Sequence, residues 1–361
     1  MTALPLDDLV DHHCHGILTR DLDRAAFEAL LNEAQGPSPL GTSLLDSMLG
    51  LALRRHCAPL LDLEPLAPAT DYLVRRAELG GAEVSARLMA ACGIGTLLVD
   101  TGLGPDELCG PGDLAALCGG RAREVVRLER LAEEVLSRGS SDVVSDVQER
   151  LRHGGAIAAK SIAAYRVGLD LPADKPSDDA FVAALAACDP HRLAHPVVSA
   201  WLAHTAVEVG LPLQVHTGYG DADLDLAAAD PLRSTPFLRG TQERGVPVLL
   251  LHTWPYHRHA AYLAQVFDHV FLDLGLTTHN TGAFSTGVLR ETLELAPFGK
   301  VLFSTDAYGL AELYLLGALL FRRSMEAVLG ELVEAGDATS ADAVHIAGLV
   351  ARDNARRAYG L

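Results

Sequence analysis

Leu9-Val10-Asp11-His12-His13-Cys14-His15 is the stretch that decides the fold. It starts as an apolar strand and ends in side chains that can bind a metal. Residues two apart on a strand share a face, so His13 and His15 point together. Cys14, between them, points the other way and serves packing. A strand that ends in such groups fits a (β/α)8 barrel, whose active sites sit at the C-terminal ends of parallel strands.

Working outward, seven more short apolar runs read as strands: 96–102, 125–129, 156–162, 212–217, 246–253, 270–274 and 300–306, after the first at 9–15. Helical patterns separate them, which argues for parallel βαβ units. The expected fold is α/β, a TIM-type barrel forming a single domain over residues 1–361. The gap between the first two strands is too long for one helix. It carries helical patterns at 21–34, 43–61, 70–79 and 83–92, with Gly36-Pro37-Ser38-Pro39 as a loop. Residues 16–92 therefore read as a helical insertion. It leaves from the C-terminal end of a strand, so it is expected to cap the site in part; the alternative is a thicker barrel wall.

The polar residues fall where chemistry needs them. Asp11, His13 and His15 end the first run, Glu129 the third, His216 the fifth, His252 the sixth and Asp306 the eighth, while Lys160 sits late in the fourth. Alternation predicts inward rows Val248, Leu250, His252 and Leu302, Ser304, Asp306. A single histidine at a strand end is more often a hydrogen-bonded core residue than a ligand. The His-x-His pair alone is a modest signal, because His12 makes this a histidine-rich stretch. Two further histidines and an aspartate, each at the end of a separate run, are hard to assign to chance. Imidazoles with one carboxylate suit divalent metal ions, zinc first, with manganese or iron as alternatives and one or two ions per site.

Composition narrows the partners. The 361 residues are 49% hydrophobic and 21% charged, with a formal net charge of -18. Such a surface repels phosphate backbones and anionic lipid, so neither nucleic acid nor membrane is expected. A small-molecule substrate is expected, and a homo-oligomer remains open. The six cysteines form no CxxC pair and read as reduced thiols of a cytoplasmic protein. Residues 1–10 lack the basic and apolar regions of a signal peptide. The longest apolar run, 315–321, is too short to span a bilayer.

Val10-Asp11-His12-His13-Cys14-His15 resembles the first-strand motif of the amidohydrolase superfamily. Gln214-Val215-His216-Thr217-Gly218, Leu251-His252 and Ser304-Thr305-Asp306 resemble its fifth-, sixth- and eighth-strand motifs. The nearest likeness is to the amidohydrolase-2 group, and within it to the domain found alone or ahead of a glutamine-synthetase-like domain. Lys160-Ser161-Ile162-Ala163-Ala164-Tyr165-Arg166, His216-Thr217-Gly218-Tyr219-Gly220-Asp221 and Asn354-Ala355-Arg356-Arg357 carry that narrower likeness. No synthetase-like domain is expected after Leu361.

The resemblance implies that His13, His15 and His216 ligate the metal. Asp306 would ligate it, accept the proton of the attacking water, or do both in turn. His252 would bind a second metal or polarise the substrate and move protons. Lys160 would bridge two metals in carboxylated form or hold a substrate carboxylate; the plain alternative is an ion pair with Glu129. Glu129, Tyr165, Arg166, Trp254 and Tyr256 are the candidate substrate contacts: Arg166 as a planar carboxylate clamp, Trp254 and Tyr256 as an apolar wall. The expected reaction is metal-dependent hydrolysis of a small-molecule amide or related C–N bond. The alternatives are decarboxylation of a small carboxylic acid, a lactonase, or a binding domain that has lost catalysis.

Overall fold

The computed structural model describes residues 3–34, 40–104 and 107–361. Seven parallel strands form one curled sheet in sequence order: β1 Leu9–Cys14, β2 Ile94–Asp100, β3 Arg121–Arg127, β4 Ala158–Ser161, β5 Leu213–Thr217, β6 Val248–His252 and β7 Val270–Leu272. Helices separate them, as parallel connections require. The expected eighth strand is not regular. Lys300 belongs to a short 3-10 helix, and only Val301 makes an isolated bridge, to Leu272 of β7. The segment still joins the sheet edges. Leu302 N–H donates to Leu272 C=O at 2.9 Å, His12 N–H to Phe303 C=O at 3.3 Å, and Asp306 N–H to His13 C=O at 3.0 Å.

The sheet has two apolar faces. Outside, the helices pack on a large aliphatic core that includes Leu9, Cys14, Val248 and Leu250. Inside, Val10, Leu98, Val125, Ala158, Leu249, Leu251, Phe271 and Leu302 meet Ala355, Ala358 and Tyr359 of the helix Asn354–Tyr359. That helix fills the sheet interior beneath the polar strand ends.

One expected row needs correction, and β1 departs from strict alternation. In β6 the inward residues are Leu249 and Leu251, not Val248 and Leu250. His252 reaches the site because its backbone turns left-handed, with φ of 67°, followed by Thr253 at 56°. In β1 the pairing with β2 shifts between Asp11 and Cys14. Asp11 does not join His13: its carboxylate accepts from Thr305 N–H at 2.9 Å and Thr305 Oγ1 at 2.5 Å. His12 turns inward, its Nδ1 2.9 Å from Tyr359 Oη. Cys14 faces outward as expected, with its Sγ 3.5 Å from Leu98 C=O.

Among the described residues between β1 and β2 there are four α-helices, Arg24–Ala29, Met48–His56, Ala69–Leu79 and Gly81–Ala91, and a 3-10 helix, Ala58–Leu61. The first is shorter than its sequence pattern, and the Gly36–Pro39 loop lies outside the described residues. A buried ion pair ties this region to the long helix Ala311–Ala335. Arg76 Nε donates to Glu312 Oε1 at 2.8 Å, and Tyr72 Oη donates to the same oxygen at 3.0 Å. Glu312 is fully buried. Removing one partner of such a pair leaves a charge with poor solvation. Arg76→Ala should therefore lower stability by about 3–5 kcal/mol in denaturant unfolding, and Arg76→Met with Glu312→Gln should recover most of the loss. A single variant as stable as the parent would show that the tie contributes nothing.

Candidate metal centre and active site

The strand ends bring four of the expected residues onto one point. Asp306 Oδ1 lies 3.1 Å from His13 Nε2 and 3.2 Å from His15 Nε2, and Asp306 Oδ2 lies 3.3 Å from His252 Nδ1. Asp306 gets there through a left-handed backbone, φ 50°, which an aspartate adopts more readily than most residues. Lys160 Nζ is 3.0 Å from His13 Nε2. The plain alternative for Lys160, an ion pair with Glu129, does not form: Glu129 accepts from Ser161 and Ile162 instead. His216 stands beside the cluster, its ring 4.5 Å from the rings of both His252 and Tyr165. A Cβ on Gly220 would fall 3.0 Å from His216 Nε2 and 2.1 Å from Tyr165 Oη, so a glycine is needed there.

The histidine tautomers are set from behind. Gln214 Nε2 donates to His12 C=O at 2.6 Å and to Tyr359 Oη at 2.8 Å. Its Oε1 is thus the free acceptor, and His13 Nδ1–H donates to it at 2.8 Å. His15 Nδ1–H donates to Asp100 C=O at 3.1 Å. In the neutral rings both Nε2 atoms then carry lone pairs, and both face an oxygen of Asp306. Acceptors facing an acceptor repel unless a cation lies among them. Asp306 Oδ1, His252 Nδ1 and His216 Nε2 are buried without a hydrogen-bond partner. Burial, with the nearby Lys160 charge, pushes the His13 pKa down to about 3. Burial also holds His216 and His252 below the ordinary histidine value. Burial alone would raise the Asp306 pKa, but the imidazoles around it outweigh that and hold it well below the usual carboxylate range. Neutral imidazoles and an ionised carboxylate are the forms that bind a metal. Among the described residues two candidate sets follow, His13–His252–Asp306 and His13–His15–Asp100. The donor set fits a divalent ion.

Asp100 and Arg127 went unnoticed in the sequence. Asp100 accepts from Arg127 Nε at 3.1 Å and Nη2 at 2.6 Å. Burial raises the Asp100 pKa, but the Arg127 charge overrides it and keeps the group ionised. β3 ends at Arg127, two residues before the expected Glu129, and this boundary hid the inward arginine. His279 was also missed: it follows β7 on a short helix rather than on a strand end. It lines the cavity with Nδ1 unpartnered, and burial lowers its pKa to about 4.

The cavity over the cluster holds about 450 Å³. Of the expected substrate contacts, Tyr165 and Arg166 line it. Glu129 does not: it sits in the first turn of the helix Leu128–Ser137 and accepts from Ser161 Oγ at 2.9 Å and Ile162 N–H at 3.0 Å, fixing the end of β4. Trp254 and Tyr256 are not among its lining residues either. Trp254 packs edge-on to Tyr219 and Tyr256 stacks on His259, because the left-handed turn at His252 and Thr253 redirects the chain beyond the sixth strand. Ala29 to Ala34 and Leu49, from the region between β1 and β2, form part of the wall.

A parallel curled α/β sheet with a histidine–aspartate cluster at its strand ends defines a metal-dependent hydrolase-type enzyme. The chain belongs to the amidohydrolase family, whose model matches residues 64–361. It is 28% identical to Protein fluG of Emericella nidulans, an alignment covering 98% of this chain and 46% of that one. The chain thus spans about half the length of that curated relative. A solved structure from Lactobacillus casei ATCC 334, described as a metal-dependent hydrolase, is 26% identical, with a TM-score of 0.85 over 98% of this chain and 96% of its own. The uronate isomerase of Thermotoga maritima shares the fold at 14% identity, with a TM-score of 0.64 over 98% and 94% of the two chains. Among the described residues, no helix is long and apolar enough to cross a membrane.

Partners that orient a ligand histidine commonly contribute 10- to 100-fold in metal affinity. Gln214→Leu should therefore weaken divalent-metal binding by about that factor in a chelator competition, with the circular dichroism unchanged. Unaltered affinity would mean that Gln214 does not orient His13.

Proposed function

We propose that the protein hydrolyses a small-molecule amide or related C–N bond with a divalent ion, zinc first, at the strand ends. The observation that carries this reading is the convergence of His13, His15 and His252 on Asp306, with lone pairs and carboxylate oxygens facing one another. Three imidazoles with one carboxylate are a donor set zinc favours, and His216 adds a fourth nitrogen beside them. A bound divalent ion supplies Lewis acidity and lowers the pKa of water to about 7. Asp306 stays ionised at neutral pH and takes the proton of the attacking water, then delivers it to the leaving nitrogen. His252, neutral and at the cavity floor, holds the carbonyl side of the substrate. Lys160, whose pKa burial brings down to about 8, is partly neutral near that pH and sits against His13, so it stays with the metal ligands. Residues 16–92 act as a partial cap, since Ala29 to Ala34 close one side of the cavity.

Protein prepared without chelator should contain at least one transition-metal ion per chain by elemental analysis. Metal-free protein that gains nothing on adding zinc or manganese would contradict the reading. Released amine from a panel of small amides, followed by mass spectrometry, tests the reaction. Release of carbon dioxide from small carboxylic acids instead would replace hydrolysis with decarboxylation.

Asp306→Asn keeps size and one oxygen but loses the proton acceptor. Turnover of the folded, metal-loaded variant should fall by roughly 10²- to 10⁴-fold, the usual contribution of a positioned acid–base group. Turnover close to the parent would remove Asp306 from proton transfer.

A further inference from the structure

The cavity wall carries a group of guanidinium ions that the hydrolytic step does not use. Arg127, Arg166 and Arg192 line it together. Arg127 is committed to Asp100 through two hydrogen bonds. Arg166 is not committed in this way. Its Nη2 lies 3.7 Å from Glu133 Oε1, too far for a hydrogen bond, and its Nε is buried with no partner. A buried N–H without an acceptor is costly, and a ligand oxygen would relieve that cost. Arg192 Nη2 reaches Asp223 only at 3.5 Å and keeps about half of its side chain in solvent. Burial and the Arg192 charge both press the Arg166 pKa below its usual value, as expected for two guanidinium groups sharing one side of a cavity.

We propose that Arg166 and Arg192 form a carboxylate subsite, so that the substrate is an amide bearing a free carboxylate group. This rests on the hydrolase reading for the amide, but not for the carboxylate. A planar guanidinium fork matches a carboxylate in shape and hydrogen bonding. The same wall carries the carboxyl groups of Glu33, Asp221 and Asp223, which would repel a dianionic phosphate more than a monoanion.

The probes are pentanoate and its neutral isostere pentanamide, titrated by calorimetry into zinc-loaded and chelator-stripped protein. Pentanoate should bind both forms, and at least about tenfold more tightly than pentanamide, the usual scale of a hydrogen bond to a charged group. Arg166→Gln and Arg192→Gln should each weaken pentanoate by about tenfold or more in both forms, with zinc content unchanged. Arg192 is exposed, so that variant folds even if Arg166→Gln does not. Equal pentanoate affinity in the variants would overturn the proposal. So would binding lost only on stripping zinc, which places the carboxylate on the metal, or tighter binding of inorganic phosphate. The hydrolase reading fails separately, by lack of metal or of amine release, and leaves the pentanoate result standing.

Discussion

One buried carboxylate surrounded by imidazoles governs this molecule. Asp306 lies among His13, His15 and His252, with oxygens and ring nitrogens 3.1 to 3.3 Å apart. Removing a carboxylate from water is expensive, and neutral imidazole lone pairs do not compensate it. A cation among these groups offsets that cost, and the Lys160 Nζ already stands 3.0 Å from His13 Nε2. The fold accepts the strain needed to build the cluster: Asp306 and His252 both hold left-handed backbones that most residues avoid. Such outliers concentrate where position matters more than local stability.

The supports behind the cluster explain the rest of the interior. Gln214 fixes His13 and is itself fixed by Tyr359 and the His12 carbonyl. Asp273 pairs with His12 Nε2 at 2.7 Å and accepts the His252 N–H at 2.8 Å, so it orders two strand ends at once. Asp11 grips Thr305 next to Asp306. His13, the His252 backbone and the Thr305 next to Asp306 therefore each answer to a buried polar side chain. Below these groups the interior turns aliphatic, and the small side chains Ala158, Ala355 and Ala358 leave room for the closing helix.

The legible part of the sequence was periodic. Alternating strands and helices announced the parallel sheet, and strand-end histidines with Asp306 announced the cluster. Broken periodicity was not legible. A register shift in β1 and a left-handed turn at the end of β6 moved Asp11 out, His12 in and Val248 out, against strict alternation. His252 was found for a reason that did not hold: it faces the site through its backbone turn rather than through its strand face. Asp100 and Arg127 escaped because an aspartate and an arginine at strand ends look like ordinary surface charges. Only the spatial pairing of residues 27 apart shows them as a buried unit. The eighth run was found by its apolar pattern, but its pairing with both neighbours is too irregular to be a strand.

The tie between Tyr359 and His12 joins groups 347 positions apart, and the Asp11–Thr305 tie spans 294. Contacts of such separation form late and slowly. The histidines of β1 are therefore set in place only as the sheet closes around the helix Asn354–Tyr359, so the metal-competent motif is assembled together with the interior beneath it and not ahead of it.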